Sequence, residues 1–227
     1  MQYRKEIDGI RGLSVIFVIL FHAKVQFFEG GYLGVDIFFV ISGFLITNII
    51  LKQLNEGNFN LFYFFERRAR RILPALVFLL ISISIISIFL LFPDEIVDYS
   101  KNVNSVLFFY ANHWFVNKVS YFDINQENLL THLWSLSVEE QFYILFPILL
   151  IFIYKLKNNY FLLIIFFIFI LSVILTQFGG NLKFHKPFLE NELKFFAIPG
   201  FGFYILPTRI WELLAGSITA YLMMNKS

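Results

Sequence analysis

The 227-residue chain contains no cysteine, which removes disulfides, thiolate metal sites and a thiol nucleophile from consideration. Charge is also scarce. Asp, Glu, Lys and Arg make up 15% of the residues, against about a quarter in soluble domains. The formal net charge of +2 is too small to suggest nucleic acid as a partner, so the placement of charges matters more than their sum. No Gly-x-Ser-x-Gly elbow or Walker-type phosphate loop occurs. His113, His132 and His185 lack a ligand spacing such as His-Glu-x-x-His, so no metal site is expected. No internal repeat or low-complexity linker divides the chain, which reads as one domain.

Apolar surface is what the chain has in excess. Hydrophobic residues reach 58% and aromatics 20%, mostly Phe, more than a soluble domain of this size can bury. The bilayer is then the solvent. The aromatics are spread along the chain and do not alternate as in outer-membrane barrel strands, so helices are the expected spanning element. Basic residues precede the first apolar run, but no small-residue cleavage site follows, which favours a retained first span over a signal peptide. A hydrocarbon core of about 30 Å needs about 20 apolar residues in a helix. Six such runs lie near residues 12 to 28, 33 to 51, 72 to 92, 138 to 154, 160 to 178 and 208 to 224. The expected fold is an all-α polytopic transmembrane bundle of about six spans.

Basic residues set its orientation, because short cytoplasmic loops retain Lys and Arg. Arg4, Lys5 and Arg11, the cluster from Lys52 to Arg71, Lys155 with Lys157, and Lys226 all fall on one side if the spans alternate. Both termini are then cytoplasmic, and the long connections 93 to 133 and 179 to 207 lie outside. Arg11 and His22 share a helix face, since eleven residues at 100° each complete about three turns. His22 is expected roughly 16 Å above Arg11, near mid-bilayer if Arg11 marks the cytoplasmic boundary. A neutral imidazole at that depth suits a general base. The alternative is a buried histidine bonded to a neighbouring helix, with Arg11 as a topological anchor.

Five segments, in order, carry a family resemblance. Asp8-Gly9-Ile10-Arg11-Gly12 leading into His22 resembles the opening of the membrane acyltransferase-3 family, and the segment from Gly34 to Ile46 resembles its second span. Arg67-Arg68-Ala69-Arg70-Arg71-Ile72-Leu73-Pro74 is similar to its basic loop. The segments from His132 to Tyr143 and from Leu206 to Gly216 are similar to its later signatures. The family's complete domain continues for several more spans, so residues 1–227 are read as its N-terminal portion, truncated at the C-terminus.

The resemblance implies transfer of an acyl group, commonly acetyl, from cytoplasmic acyl-coenzyme A to a hydroxyl of an extracytoplasmic glycan or lipid-linked saccharide. Residence in the cytoplasmic (inner) membrane is expected. Acyl-coenzyme A is a donor substrate, and no permanently bound cofactor is expected. Its phosphates need cations at the cytoplasmic face. Arg67, Arg68 and Arg71 are the candidates, the last two sharing a face at i, i+3 if their helix begins early; topology anchoring and lipid headgroup binding are the alternative.

In this reading His22 takes the acceptor's proton or carries the acyl group, and Arg11 orients the donor. The resemblance singles out Glu139, which could hold an acceptor hydroxyl or pair with Arg11 or Arg209. An acid such as Asp36 inside a span is a functional candidate, or a helix-start residue. Ser42 and Gly43 are candidates too, or a means of close helix packing. Trp134 with Tyr143 could stack on a sugar or anchor at the interface. Arg209 and Glu212, at i, i+3, read most simply as an intrahelical ion pair. A membrane transporter or flippase and a catalytically inactive interaction module are the competing functions.

Overall fold

The computed structural model describes residues 5–116, 128–156, 160–178 and 201–225. The described residues are helical throughout their regular structure, with no strand. Helices α1 (Lys5–His22), α2 (Leu33–Asn55) and α3 (Leu61–Leu90) lead into two shorter ones, α4 (Pro93–Leu107) and α5 (Ala111–Phe115). A 3-10 turn at Thr131–Leu133 opens directly into α6 (Trp134–Lys155). Then follow α7 (Phe161–Phe178), the short α8 (Phe201–Tyr204) and α9 (Leu206–Met224). His185, Arg4, Lys157, Lys226 and most of the expected 179 to 207 connection lie outside the described residues.

Among the described residues, four helices are long and apolar enough to cross a membrane: α2, α3, α6 with its leading turn, and α7. This is an all-α membrane protein. The expected first and sixth spans form as α1 and α9, but ionisable residues keep them off that set. Helix α1 contains Lys5, Glu6, Asp8 and Arg11; α9 contains Arg209 and Glu212. The faces of α3 and α7 carry exposed Phe78, Phe89, Leu163 and Phe167, the surface expected against lipid tails.

Three helices begin earlier than their apolar runs. Helix α3 starts at Leu61, where the Asn60 side chain accepts from the Tyr63 N–H at 3.0 Å, an N-cap that satisfies an otherwise orphaned donor. The basic cluster is therefore helical and not a loop, with Arg70 paired to Glu66 one turn earlier at 2.7 Å. Helix α6 starts at Trp134, so Glu139 and Glu140 sit in its second turn and do not begin it. Helix α1 starts at Lys5 and ends at His22, where residues 12 to 28 were expected.

The centre of the bundle is the crossing of α2 and α9. A Cβ on Gly43 would fall 1.8 Å from the Leu213 carbonyl oxygen, and one on Gly216 1.9 Å from that of Val40. The two backbones touch where neither helix carries a side chain, as small residues permit in membranes. Thr47 Oγ1 bonds back to the Gly43 carbonyl at 2.7 Å, keeping its polar group inside its own helix. Helix α1 leans on the start of α2 by the same device: Gly34 meets the Ser14 carbonyl and Val18, while Gly31 meets the Phe17 carbonyl and Phe21.

Candidate functional site

That glycine contact fixes heights. Ser14 to Phe21 pass the first residues of α2, so His22 stands at or beyond the level of Leu33. The Arg11 guanidinium lies over the Phe38 ring at 4.8 Å, about 7 Å further along α2. About 25 Å of α2 continues beyond it towards Asn55. Arg11 therefore lies within the bundle and His22 at the end where α2 begins; because α1 starts at Lys5, Arg11 falls in its second turn and not ahead of it.

At that end a cavity of 480 Å³ opens between α1, α2 and the start of α6, lined by His22, His132, Ser135, Val18, Val35 and Phe38 among others. His22 Nδ1 lies 2.8 Å from the Val18 carbonyl oxygen. A carbonyl only accepts, so Nδ1 carries the proton and Nε2 is the basic nitrogen. A second imidazole, His132, lines the same cavity and is close enough to interact electrostatically with His22. Residue spacing gave no sign of it, because its proximity comes from the turn that opens α6.

Behind the cavity lies an ionic cluster. Arg209 Nη1 donates to Asp36 at 3.0 Å and to Glu212, while its Nε donates to the Phe203 carbonyl at 2.9 Å. The intrahelical pair with Glu212 is present, and Asp36 joins it from the first turn of α2. The guanidinium also faces the rings of Phe203 at 4.5 Å and Trp134 at 5.7 Å. Trp134 is 1% exposed and packed against Phe39, Phe203 and Tyr204. It also forms part of the wall of the cavity that holds His22 and His132.

Deeper in the bundle, Ser42 Oγ donates to Glu139 Oε1 at 2.6 Å. Glu139 is buried and feels the charges of Arg11 and Arg68, not that of Arg209. The two candidates on α2 thus divide: Ser42 serves the acid and Gly43 the helix crossing. The Arg68 guanidinium stacks over Tyr143 at 4.6 Å and is also attracted by Glu140.

Arg68 belongs equally to a second cavity of 390 Å³, lined by Asn48, Lys52, Gln53, Arg67, Arg68 and Arg71 among others. The early start of α3 puts these three arginines on one wall, and Arg67 Nη2 reaches Gln53 Oε1 at 3.5 Å. Arg70 faces away, paired with Glu66. Lys52, read from sequence only as a topological charge, is part of the opposite wall because α2 runs four residues past its apolar run. Among the described residues no three His, Asp or Glu side chains converge on a metal-sized site.

Two cavities, one lined by clustered cations and one by two imidazoles, thus lie on either side of a buried acid along α2. The family model described as "Acyltransferase domain" matches residues 4–222, and the chain belongs to this acyltransferase-3 family. O-acetyltransferase OatA of Staphylococcus aureus strain NCTC 8325 / PS 47 is 34% identical over 227 residues, covering 97% of this chain and 35% of the relative. A candidate O-acetyltransferase of Staphylococcus aureus strain MSSA476 is 41% identical over 153 residues, 66% of this chain and 25% of the relative. The chain thus spans about a third or less of the length of these relatives. No solved structure matches it.

Proposed function

We propose that the protein transfers an acyl group, in the simplest case acetyl, from cytoplasmic acyl-coenzyme A to a hydroxyl of an extracytoplasmic glycan or lipid-linked saccharide. The observation that carries this reading is the pair of opposed cavities on either side of Glu139. Arg67, Arg68 and Arg71 bind the phosphates of the donor, where planar guanidinium groups match phosphate oxygens bidentately. His22 Nε2 removes the acceptor's proton as its oxygen attacks the acyl carbonyl. The carbon–sulfur bond breaks, and the coenzyme leaves as its thiol once protonated. In a two-step route Nε2 attacks first and an acyl-imidazole passes the group on.

Arg11 and Glu139 lie between the cavities: Arg11 stabilises negative charge that develops on the acyl oxygen, and Glu139, held by Ser42, keeps the guanidinium groups of Arg11 and Arg68 oriented. The outer-end position of His22 puts deprotonation on the acceptor's side of the bundle, with the acyl group carried outward from the coenzyme. His132 offers the acceptor a second imidazole. This chemistry fits a six-span arrangement in the cytoplasmic membrane with both termini inside, in which Arg11 of α1 and Arg209 of α9 face α2.

Labelled acetyl-coenzyme A binding to the purified protein tests the donor half. An Arg68→Ala, Arg71→Ala double variant is expected to bind at least about tenfold more weakly, the loss of two charge-assisted contacts. Equal binding would remove the coenzyme site.

A further inference from the structure

Tyr143 takes no part in the chemistry above, yet it stands where the donor cavity meets the buried acid. It lies one helical turn beyond Glu139 on α6 and is 3% exposed. Its ring supports the Arg68 guanidinium at 4.6 Å from the ring centre, and Arg68 lines the donor cavity. Its hydroxyl interacts with both Glu139 and Ser42, themselves joined at 2.6 Å. A buried phenol needs a partner for its hydroxyl; a purely structural tyrosine commonly finds one in a backbone carbonyl. Here the partners are two candidate site residues, while the ring holds a third.

We propose that Tyr143 is a positioning residue for the transfer reaction, its ring fixing Arg68 at the donor cavity and its hydroxyl fixing the Glu139–Ser42 pair, so that donor binding and acid geometry are set by one side chain. The proposal rests on the donor reading given above. Its two halves separate chemically. Phe keeps the ring over Arg68 and deletes the hydroxyl; Leu deletes both.

The test uses membranes from cells expressing the protein. Coenzyme A thiol release is followed against acetyl-coenzyme A concentration, with binding to the purified protein and its thermal unfolding as companion measurements. Tyr143→Phe is expected to keep KM and binding within about twofold of wild type while kcat falls about tenfold, the signature of a lost interaction that orients the reacting state. Tyr143→Leu is expected to raise KM about tenfold as well, since the support of Arg68 is lost with the ring. A Tyr143→Phe variant with wild-type kcat overturns the proposal. So does one in which binding, rate and unfolding temperature fall together, because the hydroxyl is then merely structural. A wild-type protein that neither binds acetyl-coenzyme A nor releases thiol overturns the donor reading itself, and this inference with it; the two failures are therefore distinct.

Discussion

Two buried acid–arginine clusters sit within the same bundle and are built differently. In the outer one, Arg209 spends its Nε on the Phe203 carbonyl, its Nη1 on Asp36 and Glu212, and its faces on two aromatic rings. In the inner one, Glu139 accepts a short bond from Ser42. Arg11 Nε and Glu140 Oε1, though buried, bond to none of the described residues, and neither does one oxygen of the outer cluster, Glu212 Oε2. The first arrangement ties α2, α8 and α9 together and leaves its arginine little to offer a ligand. The second keeps donors and acceptors in reserve beside a cavity that reaches the acyl donor in our proposal. The outer arginine is committed to holding helices together, whereas Arg68 of the inner cluster also lines a cavity.

Substitutions break or sharpen this contrast in order of their expected effect on stability. Arg209→Ala should cost most, about 3–5 kcal/mol, because it strands Asp36 and Glu212 without their cation in a site that is nearly closed to water. Thermal unfolding in detergent, followed by intrinsic fluorescence, would show the loss. An unfolding midpoint equal to wild type would mean that the outer cluster holds nothing together. Gly216→Ala comes next, at about 1–3 kcal/mol, since the added methyl meets the Val40 carbonyl and the two helices must part. Its effect should appear in the same melt, and a neutral result would refute the close crossing of α2 and α9.

Ser42→Ala should be milder, about 1 kcal/mol, as the loss of one bond to an acid that keeps two arginines nearby. It should lower thiol release from acetyl-coenzyme A by more than its stability loss explains. If activity and unfolding temperature instead fell in proportion, the inner cluster would be structural like the outer one.

How much of this could be read from sequence follows the same division. Helices α2, α7 and α9 begin within two residues of their apolar runs, because in those segments hydropathy and backbone hydrogen bonding change together. Helices α1, α3 and α6 begin seven, eleven and four residues early respectively, judged against runs at 12, 72 and 138. Hydropathy stops at a charge, whereas a helix continues through it when a neighbour one turn away satisfies it, as Glu66 does for Arg70. That effect turned the basic loop into a cavity wall. The candidate residues themselves were legible from five ordered motifs. Which acid meets which arginine was not. Arg209 and Asp36 are 173 residues apart, and only the crossing of α2 and α9 pairs them. From sequence, His132 is read only against metal-ligand spacing and Tyr143 only as a stacking or anchoring ring, because the neighbours each one meets lie on other helices.

The smallest effect on stability should be the most informative. His22 ends α1, is exposed to the cavity, lies 2.8 Å from a carbonyl one turn back and meets the edge of Phe21. Removing it leaves no buried charge and little lost packing, so His22→Ala should unfold within about 0.5 kcal/mol of wild type. A general base contributes about 10²–10⁴-fold to rate, and transfer should fall by that much while acetyl-coenzyme A binding, set by arginines at the opposite cavity, is unchanged. His22→Gln sharpens the reading, because glutamine can still donate towards the Val18 carbonyl but has no basic nitrogen, and it should be as inactive as alanine. Full transfer by either variant would displace His22 from the reaction and leave His132, across the same cavity, as the imidazole to examine.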